Sequence, residues 1–221
     1  MPTVDLQRPG FAPLTPHHDV RDDGGELVSY RTLRRVVGVL AVSLPVVLAI
    51  WGWALGHGLL PSISDYYALR TRDALVGVLF TVAWFLFTYH GYDRRDNTAG
   101  NLACLFALGV ALLPNHGASE LEGTLHFVSA AALFLVLAYF ALVLFTTTKG
   151  TPTPQKLIRN RIYRACGTAI LVCIVAIGIA HLALDEPTRT STAIVFWLES
   201  LALWAFGFSW FVKGETVFRD R

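Results

Sequence analysis

The sequence predicts an all-α integral membrane protein, a bundle of six transmembrane helices with both termini in the cytoplasm. Three observations predict this fold class. Of the 221 residues, 54% are hydrophobic and only 15% are charged, whereas a typical soluble domain carries about 25% charged residues. Uncharged runs of the length needed to cross a bilayer, about 20 residues, recur along the chain. The basic residues gather in alternate loops between these runs.

The first 30 residues differ from the rest in composition. They contain four prolines and show no apolar periodicity, which predicts a flexible cytoplasmic tail over residues 1–30. No cleavable signal peptide is visible, so the first apolar run is expected to act as an uncleaved anchor. Residues 31–221 are expected to form the six-helix domain.

Six apolar runs follow the tail, and each is expected to form a transmembrane helix. They cover about residues 36–60, 74–92, 98–114, 121–146, 162–184 and 192–212. The third run is the shortest, and local thinning of the bilayer accommodates such a helix. It carries a small residue at every fourth position, Ala99, Ala103, Ala107 and Ala111. This stripe favours close packing against another helix in lipid.

The loop charges predict the orientation. Basic residues precede the first run and follow the second, fourth and sixth runs; they are Arg31, Arg34, Arg35, Arg94, Arg95, Lys149, Lys156, Arg159, Arg161, Arg164, Lys213, Arg219 and Arg221. The loops on the other side carry only Arg70, Arg72 and Arg189. Basic loops remain on the cytoplasmic side, so both termini are predicted to be cytoplasmic and the number of spans is even.

The cysteines and the net charge exclude some classes of function. Cys104, Cys166 and Cys173 lie inside apolar runs and form no CxxC pair, so they are expected to be small buried residues rather than zinc or redox groups. The net charge of +2 gives no reason to expect a nucleic-acid partner. Membrane lipids are the expected partners, and a homo-oligomer is left open.

Glu199 is an ionisable residue well inside the sixth apolar run, roughly 12 Å along the helix at ~1.5 Å per residue. Ionisable groups at this depth are costly and often functional. Glu199 could carry a proton, bind a metal or contact a substrate. The alternative is a neutral glutamate that is hydrogen-bonded to a neighbouring helix.

Further polar residues gather on the predicted outer side. His126 and His181 lie about one turn inside the outer ends of the fourth and fifth runs, and Ser64 and Asp65 belong to the first outer loop. Together with Glu199 these four residues are expected to line an outer-face polar pocket. Histidines near a carboxylate also suit zinc, which gives a second prediction, a metal site formed by His116, His126, His181 and Asp65. No HxxxH or HExxH spacing is present, so each histidine could instead be an interfacial hydrogen-bonding residue.

Two loops carry more specific expectations. The first outer loop, LPSISDYYALRTRD, predicts a short interfacial helix capped by Ser64 or Asp65, with Tyr66 and Tyr67 at headgroup level. The second inner loop contains Arg94 and Arg95, which are expected to hold lipid phosphate. Salt bridges to the flanking aspartates are the alternative.

The order of elements, with its outer P-x-I-S-D motif, resembles the DRAM-type six-span family of autophagy modulators and their fungal relatives. The residues that carry the resemblance are Pro61, Ile63, Ser64, Asp65, Asn101 and His126. The chain departs from the family after Asp65, where the family tends to have Thr-Gly and this chain has Tyr66-Tyr67. The resemblance implies a non-enzymatic role in membrane lipid organisation or trafficking.

Two further resemblances concern other parts of the chain. The stretches RNRIYRACG and FWLESLALWAFGFSW resemble a bacterial branch of six-span membrane proteins, which implies the bacterial inner (plasma) membrane. The outer serine, aspartate and three histidines resemble the ceramidase and adiponectin-receptor type hydrolases. Those proteins have a paired HxxxH on the last span, where this chain has Glu199 instead.

Three functions therefore stay open, and the sequence does not decide whether the protein is an enzyme. The leading hypothesis is a non-enzymatic protein that binds or organises lipid through the outer pocket and needs no cofactor. The second is a zinc-dependent intramembrane lipid hydrolase that uses the same residues. The third is a small-solute or proton carrier in which Glu199 titrates.

Overall fold

The computed structural model describes residues 30–89, 94–115, 119–148 and 150–214, so the predicted tail lies outside it except for Tyr30. The described part is all-helical. The α-helices in chain order are α1 (Tyr30–Ala54), α2 (Arg72–Phe87), α3 (Arg94–Leu112), α4 (Glu120–Tyr139), α5 (Pro154–Ala183), α6 (Glu186–Thr192) and α7 (Ile194–Lys213). A 3-10 helix at Ser64–Ala68 precedes α2, and a π-helix at Phe140–Leu144 continues α4.

Four segments of the described chain are long and apolar enough to cross a membrane. They are Arg31–Ala54, Glu120–Leu144, Pro154–Ala183 and Ile194–Lys213. The other two predicted spans, α2 and α3, are shorter or more polar. Helix α2 has 16 residues, and the first turn of α3 contains Arg94, Arg95 and Asp96. The all-helical class and the membrane-type helices agree with the sequence prediction.

Two helix boundaries differ from the predicted spans. Helix α1 ends at Ala54 rather than near residue 60, because Gly56 (φ +82°) and Gly58 (φ +70°) adopt left-handed backbone conformations that stop the helix. Helix α5 begins at Pro154, well before residue 162. The Thr153 side chain accepts a hydrogen bond from the Lys156 N–H there, and the proline occupies the first turn, where it is tolerated.

The six long helices form a closed ring in which each contacts its two neighbours. The order is α1, α2, α3, α4, α5 and α7, and α7 returns to α1. One end of the bundle, called the site end here, contains residues 55–71, residues 113–115 and α6. The opposite end contains the start of α1, the end of α7 and the connection from α4 to α5.

Small residues allow the helices to approach closely. A Cβ atom on Gly207 of α7 would lie 2.8 Å from the Gly38 carbonyl oxygen of α1. A Cβ atom on Gly100 of α3 would collide with the Leu86 carbonyl oxygen of α2. The predicted alanine stripe of α3 is buried at all four positions, and the three cysteines are also buried. The predictions that the alanine stripe packs against another helix and that the cysteines are buried are confirmed.

Candidate functional site

The loop between α1 and α2 is fixed to α7 by two hydrogen bonds. The Phe196 N–H donates to the Pro61 carbonyl oxygen at 2.8 Å. The Ile63 N–H donates to Glu199 Oε2 at 2.7 Å. The first bond satisfies an N–H at the start of α7 that has no partner within the helix. Residues from the first third of the chain thus meet the last helix.

Ser64 and His126 form a buried hydrogen-bonded pair. The Ser64 Oγ lies 2.9 Å from His126 Nε2, and His126 Nδ1 lies 2.7 Å from the Leu113 carbonyl oxygen. A carbonyl oxygen can only accept, so Nδ1 carries the proton. In the neutral imidazole Nε2 is then the acceptor, and the Ser64 hydroxyl donates to it. His126 is 1% exposed and Ser64 is 8% exposed.

Asp65 joins the loop that carries Ser64 to the residue Asn115 after α3. Its Oδ2 accepts from the Ser62 N–H at 3.0 Å, and its Oδ1 accepts from Asn115 Nδ2 at 2.7 Å. The prediction that Ser64 or Asp65 is the N-cap of the short helix was wrong, because the N-cap position is Ile63, with no side-chain cap there. Ser62 and Asp65 hold the turn instead, since the Ser62 Oγ accepts from the Asp65 N–H at 3.2 Å and Asp65 Oδ2 accepts from the Ser62 N–H.

The Tyr66 side chain is fully buried inside the bundle, and its position at headgroup level stays a prediction. Its ring lies against Gly52 of α1 and 6.0 Å from the ring of Phe196. Its hydroxyl oxygen accepts a hydrogen bond from the Leu60 N–H at 3.2 Å. Burial raises the pKa of the Tyr66 phenol above its ordinary value, so the ring remains neutral.

A cavity of about 660 Å³ opens beside this loop. We call it the α4–α5 cavity. All five residues of the predicted pocket line it, namely Ser64, Asp65, His126, His181 and Glu199. Its volume lies within the ~300–1,000 Å³ range of small-molecule sites. The structure thus brings together residues that the sequence separates by more than a hundred positions.

The remainder of the cavity wall is mostly apolar. Helix α4 contributes Phe127, Ala130, Ala131 and Phe134, and α5 contributes Ile174, Ile177 and Gly178. Ala131 and Gly178 are exposed, so the cavity reaches the side of the bundle between the two helices. One cavity therefore has a polar end at the loop and an apolar channel along two helices.

The sequence reasoning missed several polar residues of this wall. Asn115, Glu186, Arg189 and Thr190 also line the cavity. Arg189 could have been found, since it is the one basic residue in the predicted loop before the last span. Asn115 gave a weaker signal, because a polar residue just after a span is ordinary.

The predicted zinc site stays a prediction. His116 lies outside the described residues. Among the residues that the structure does describe, no three His, Cys, Asp or Glu side chains gather as metal ligands. Both ring nitrogens of His126 already bind protein oxygen atoms. His181 packs its ring against Phe127, with the centroids 6.4 Å apart.

A second recess lies towards the opposite end of the bundle. We call it the α3–α4 groove, and its volume is about 450 Å³. Arg94, Arg95 and Thr98 line its polar end, and the remainder of its wall is formed by Ala99, Leu102, Leu135, Val136 and Tyr139. The two arginines that were predicted to hold lipid phosphate therefore lie beside an apolar strip of two helices.

Comparison with known proteins gives no relative: no family model, curated protein or solved structure matches this chain. The family resemblances drawn from the sequence gain no support from it. The function must therefore be argued from the site alone.

Proposed function

We propose that this protein binds a single-chain amphiphile in the α4–α5 cavity. The headgroup lies at the loop end, and the chain lies between α4 and α5. The observation that carries the proposal is the combination of a polar end and an apolar channel in one cavity that opens to the side of the bundle. A molecule in the bilayer can enter such a cavity without leaving the membrane.

The polar end indicates the kind of headgroup. Glu199 uses Oε2 to accept from Ile63, while Oε1 accepts no hydrogen bond from the described residues. Glu199 lines the cavity, so Oε1 is available as an acceptor there. A hydroxyl or amine headgroup supplies the donor that this oxygen lacks. A glycerol or amino-alcohol headgroup therefore fits better than a bare phosphate.

The proposal includes six membrane spans. Two observations support α2 and α3 as spans besides the four longer helices. Both belong to the closed ring, and both present large apolar side chains outward, with Trp84 58% exposed and Leu105 61% exposed. Exposing such large apolar side chains is unfavourable in water, whereas it is expected of a surface that faces lipid. The loop charges then favour cytoplasmic termini, which places the site end of the bundle on the outer side of the membrane. The membrane itself is proposed to be the bacterial plasma membrane, which the resemblance implies.

A photo-crosslinking experiment tests the binding proposal. The purified full chain in lipid nanodiscs is incubated with a monoacylglycerol whose chain carries a diazirine, and the labelled peptides are identified by mass spectrometry. Labels are expected on α4 between Phe127 and Phe134 and on α5 between Ile174 and His181. Labels spread evenly over all lipid-facing helices would contradict the proposal.

Two glycines provide a matched pair of variants. A Cβ atom on Gly178 or on Gly77 meets nothing within 4 Å, so both positions accept a larger side chain. Gly178 lines the cavity and Gly77 of α2 does not. Gly178→Phe is expected to reduce cavity labelling at least about tenfold, a loss of ~1.4 kcal/mol of binding. Gly77→Phe is expected to leave it unchanged.

A further inference from the structure

We infer that Ser64 is a nucleophile that His126 activates, and that the α4–α5 cavity performs acyl transfer on an ester-linked amphiphile. The inference rests on the proposed function, because it takes the bound amphiphile as substrate, and it adds a covalent step. It assigns an enzymatic activity that needs only the residues of this chain and water. The chemical class of substrate is a single-chain acyl ester of a hydroxylated headgroup.

The geometry of three groups carries the inference. An activated serine needs a base within hydrogen-bond reach, and that base must be oriented by a third group. The Ser64 Oγ lies 2.9 Å from His126 Nε2, and the Leu113 carbonyl oxygen holds His126 Nδ1 at 2.7 Å. This leaves the Nε2 lone pair directed at the serine hydroxyl. The carbonyl group performs the orienting task that a carboxylate performs in a Ser-His-Asp triad.

The position of the pair supports a catalytic rather than a purely structural role. Ser64 and His126 both line the cavity, and the apolar channel begins at the next residue of α4, Phe127. An acyl chain lying in that channel extends away from Ser64. Its carboxyl end then lies at the junction of the polar end and the channel, which is where the nucleophile is.

The reaction needs only Ser64, His126, the ester and water. The Ser64 Oγ attacks the ester carbonyl carbon, and its proton moves to His126 Nε2. The ester C–O bond breaks, the leaving alcohol takes the proton from Nε2, and an acyl-serine remains. Water then attacks the acyl-serine with His126 again accepting a proton, which releases the fatty acid and restores Ser64.

A donor for the developing oxyanion is also available in the cavity. Asn115 lines it and uses one Nδ2 hydrogen to bind Asp65 at 2.7 Å. Its second Nδ2 hydrogen makes no hydrogen bond with the described residues. Amide donors of this kind stabilise tetrahedral intermediates in other acyl-transfer sites. Glu199 Oε1 in turn accepts from a hydroxyl of the leaving headgroup.

Covalent labelling tests the inference. The purified full chain in nanodiscs is treated with a long-chain alkyl fluorophosphonate, which loses fluoride when a serine oxygen attacks phosphorus. The adduct is expected on the peptide that contains Ser64, with or without a metal chelator. Ser64→Ala is expected to abolish it. His126→Gln is expected to slow it by about 100-fold or more, the usual contribution of a general base.

The matched control is Ser191→Ala, because Ser191 is an exposed serine of α6 that does not line the cavity. It is expected to keep at least half of the wild-type labelling rate.

Folding is followed with a thiol-reactive dye, because the three buried cysteines react only on unfolding. A folded wild-type protein without an adduct at Ser64 would overturn the inference, as would wild-type labelling in His126→Gln. Diazirine labelling of Ser64→Ala separates the two proposals, because binding should persist there.

Discussion

The Ile63 N–H and the Glu199 Oε2 atom lie 2.7 Å apart although 136 positions separate the two residues in the chain. This bond joins the loop after α1 to α7, five residues after its start at Ile194. The Glu199 carboxylate therefore has two roles. One oxygen fixes the loop that carries Ser64 and Asp65, and the side chain also lines the α4–α5 cavity.

Glu199→Ala is expected to lower the stability of the protein more than Glu199→Gln does. The alanine variant leaves the Ile63 N–H without an acceptor, at a cost of about 1–3 kcal/mol, whereas the glutamine amide oxygen can still accept from it. Thermal unfolding followed with the thiol-reactive dye measures the difference. Equal melting temperatures for the two variants would show that the bond does not hold the loop.

Gly100→Ala is expected to destabilise the contact between α2 and α3. The added Cβ atom collides with the Leu86 carbonyl oxygen, and such overpacking costs about 1–3 kcal/mol. Gly77→Ala is the matched control, since its Cβ atom meets nothing within 4 Å and alanine is the better helix former by roughly 0.5–1 kcal/mol. The melting temperature should fall for Gly100→Ala and hold or rise for Gly77→Ala. The reverse order would contradict the close approach of these helices.

Arg94→Gln combined with Arg95→Gln is expected to weaken binding of anionic lipid to the α3–α4 groove. The two guanidinium groups lie at its polar end, and each basic group near a membrane surface contributes about 1 kcal/mol. Native mass spectrometry with phosphatidylglycerol measures the retained lipid. Arg70→Gln, an exposed residue of the other bundle end, serves as the control. Equal retention in the double variant and the control would exclude this groove as the site.

The six-span topology predicts opposite labelling of two introduced cysteines. Asn97→Cys near the start of α3 is expected to react with an impermeant maleimide only from the cytoplasmic side. Ser191→Cys in α6 is expected to react only from the outer side. Both side chains are exposed, and the native cysteines are buried. Labelling of both from the same side would show that α2 and α3 do not cross.

Much of the architecture could be predicted from local patterns. Apolar length predicts the helices because a backbone in lipid must satisfy its own hydrogen bonds. The four-residue spacing predicted the buried face of α3, since residues at i and i+4 share one side of a helix. Such patterns did not reveal the π-helix after α4. There the Phe145 N–H donates to the Phe140 carbonyl oxygen, within a cluster of aromatic rings from three helices.

The sequence by itself determined that the chain is helical and apolar, and which polar side chains stand out from that background. Only the tertiary structure decided how those side chains pair. Ser64 meets His126, Asp65 meets Asn115, and Ile63 meets Glu199, because the rotation and crossing of each helix set which side chains face one another. Tyr66 shows the same limit, because the sequence does not predict that its ring packs between α1 and α7. Hydrophobic periodicity is a local property, whereas a polar contact between distant segments depends on the packing of the whole bundle.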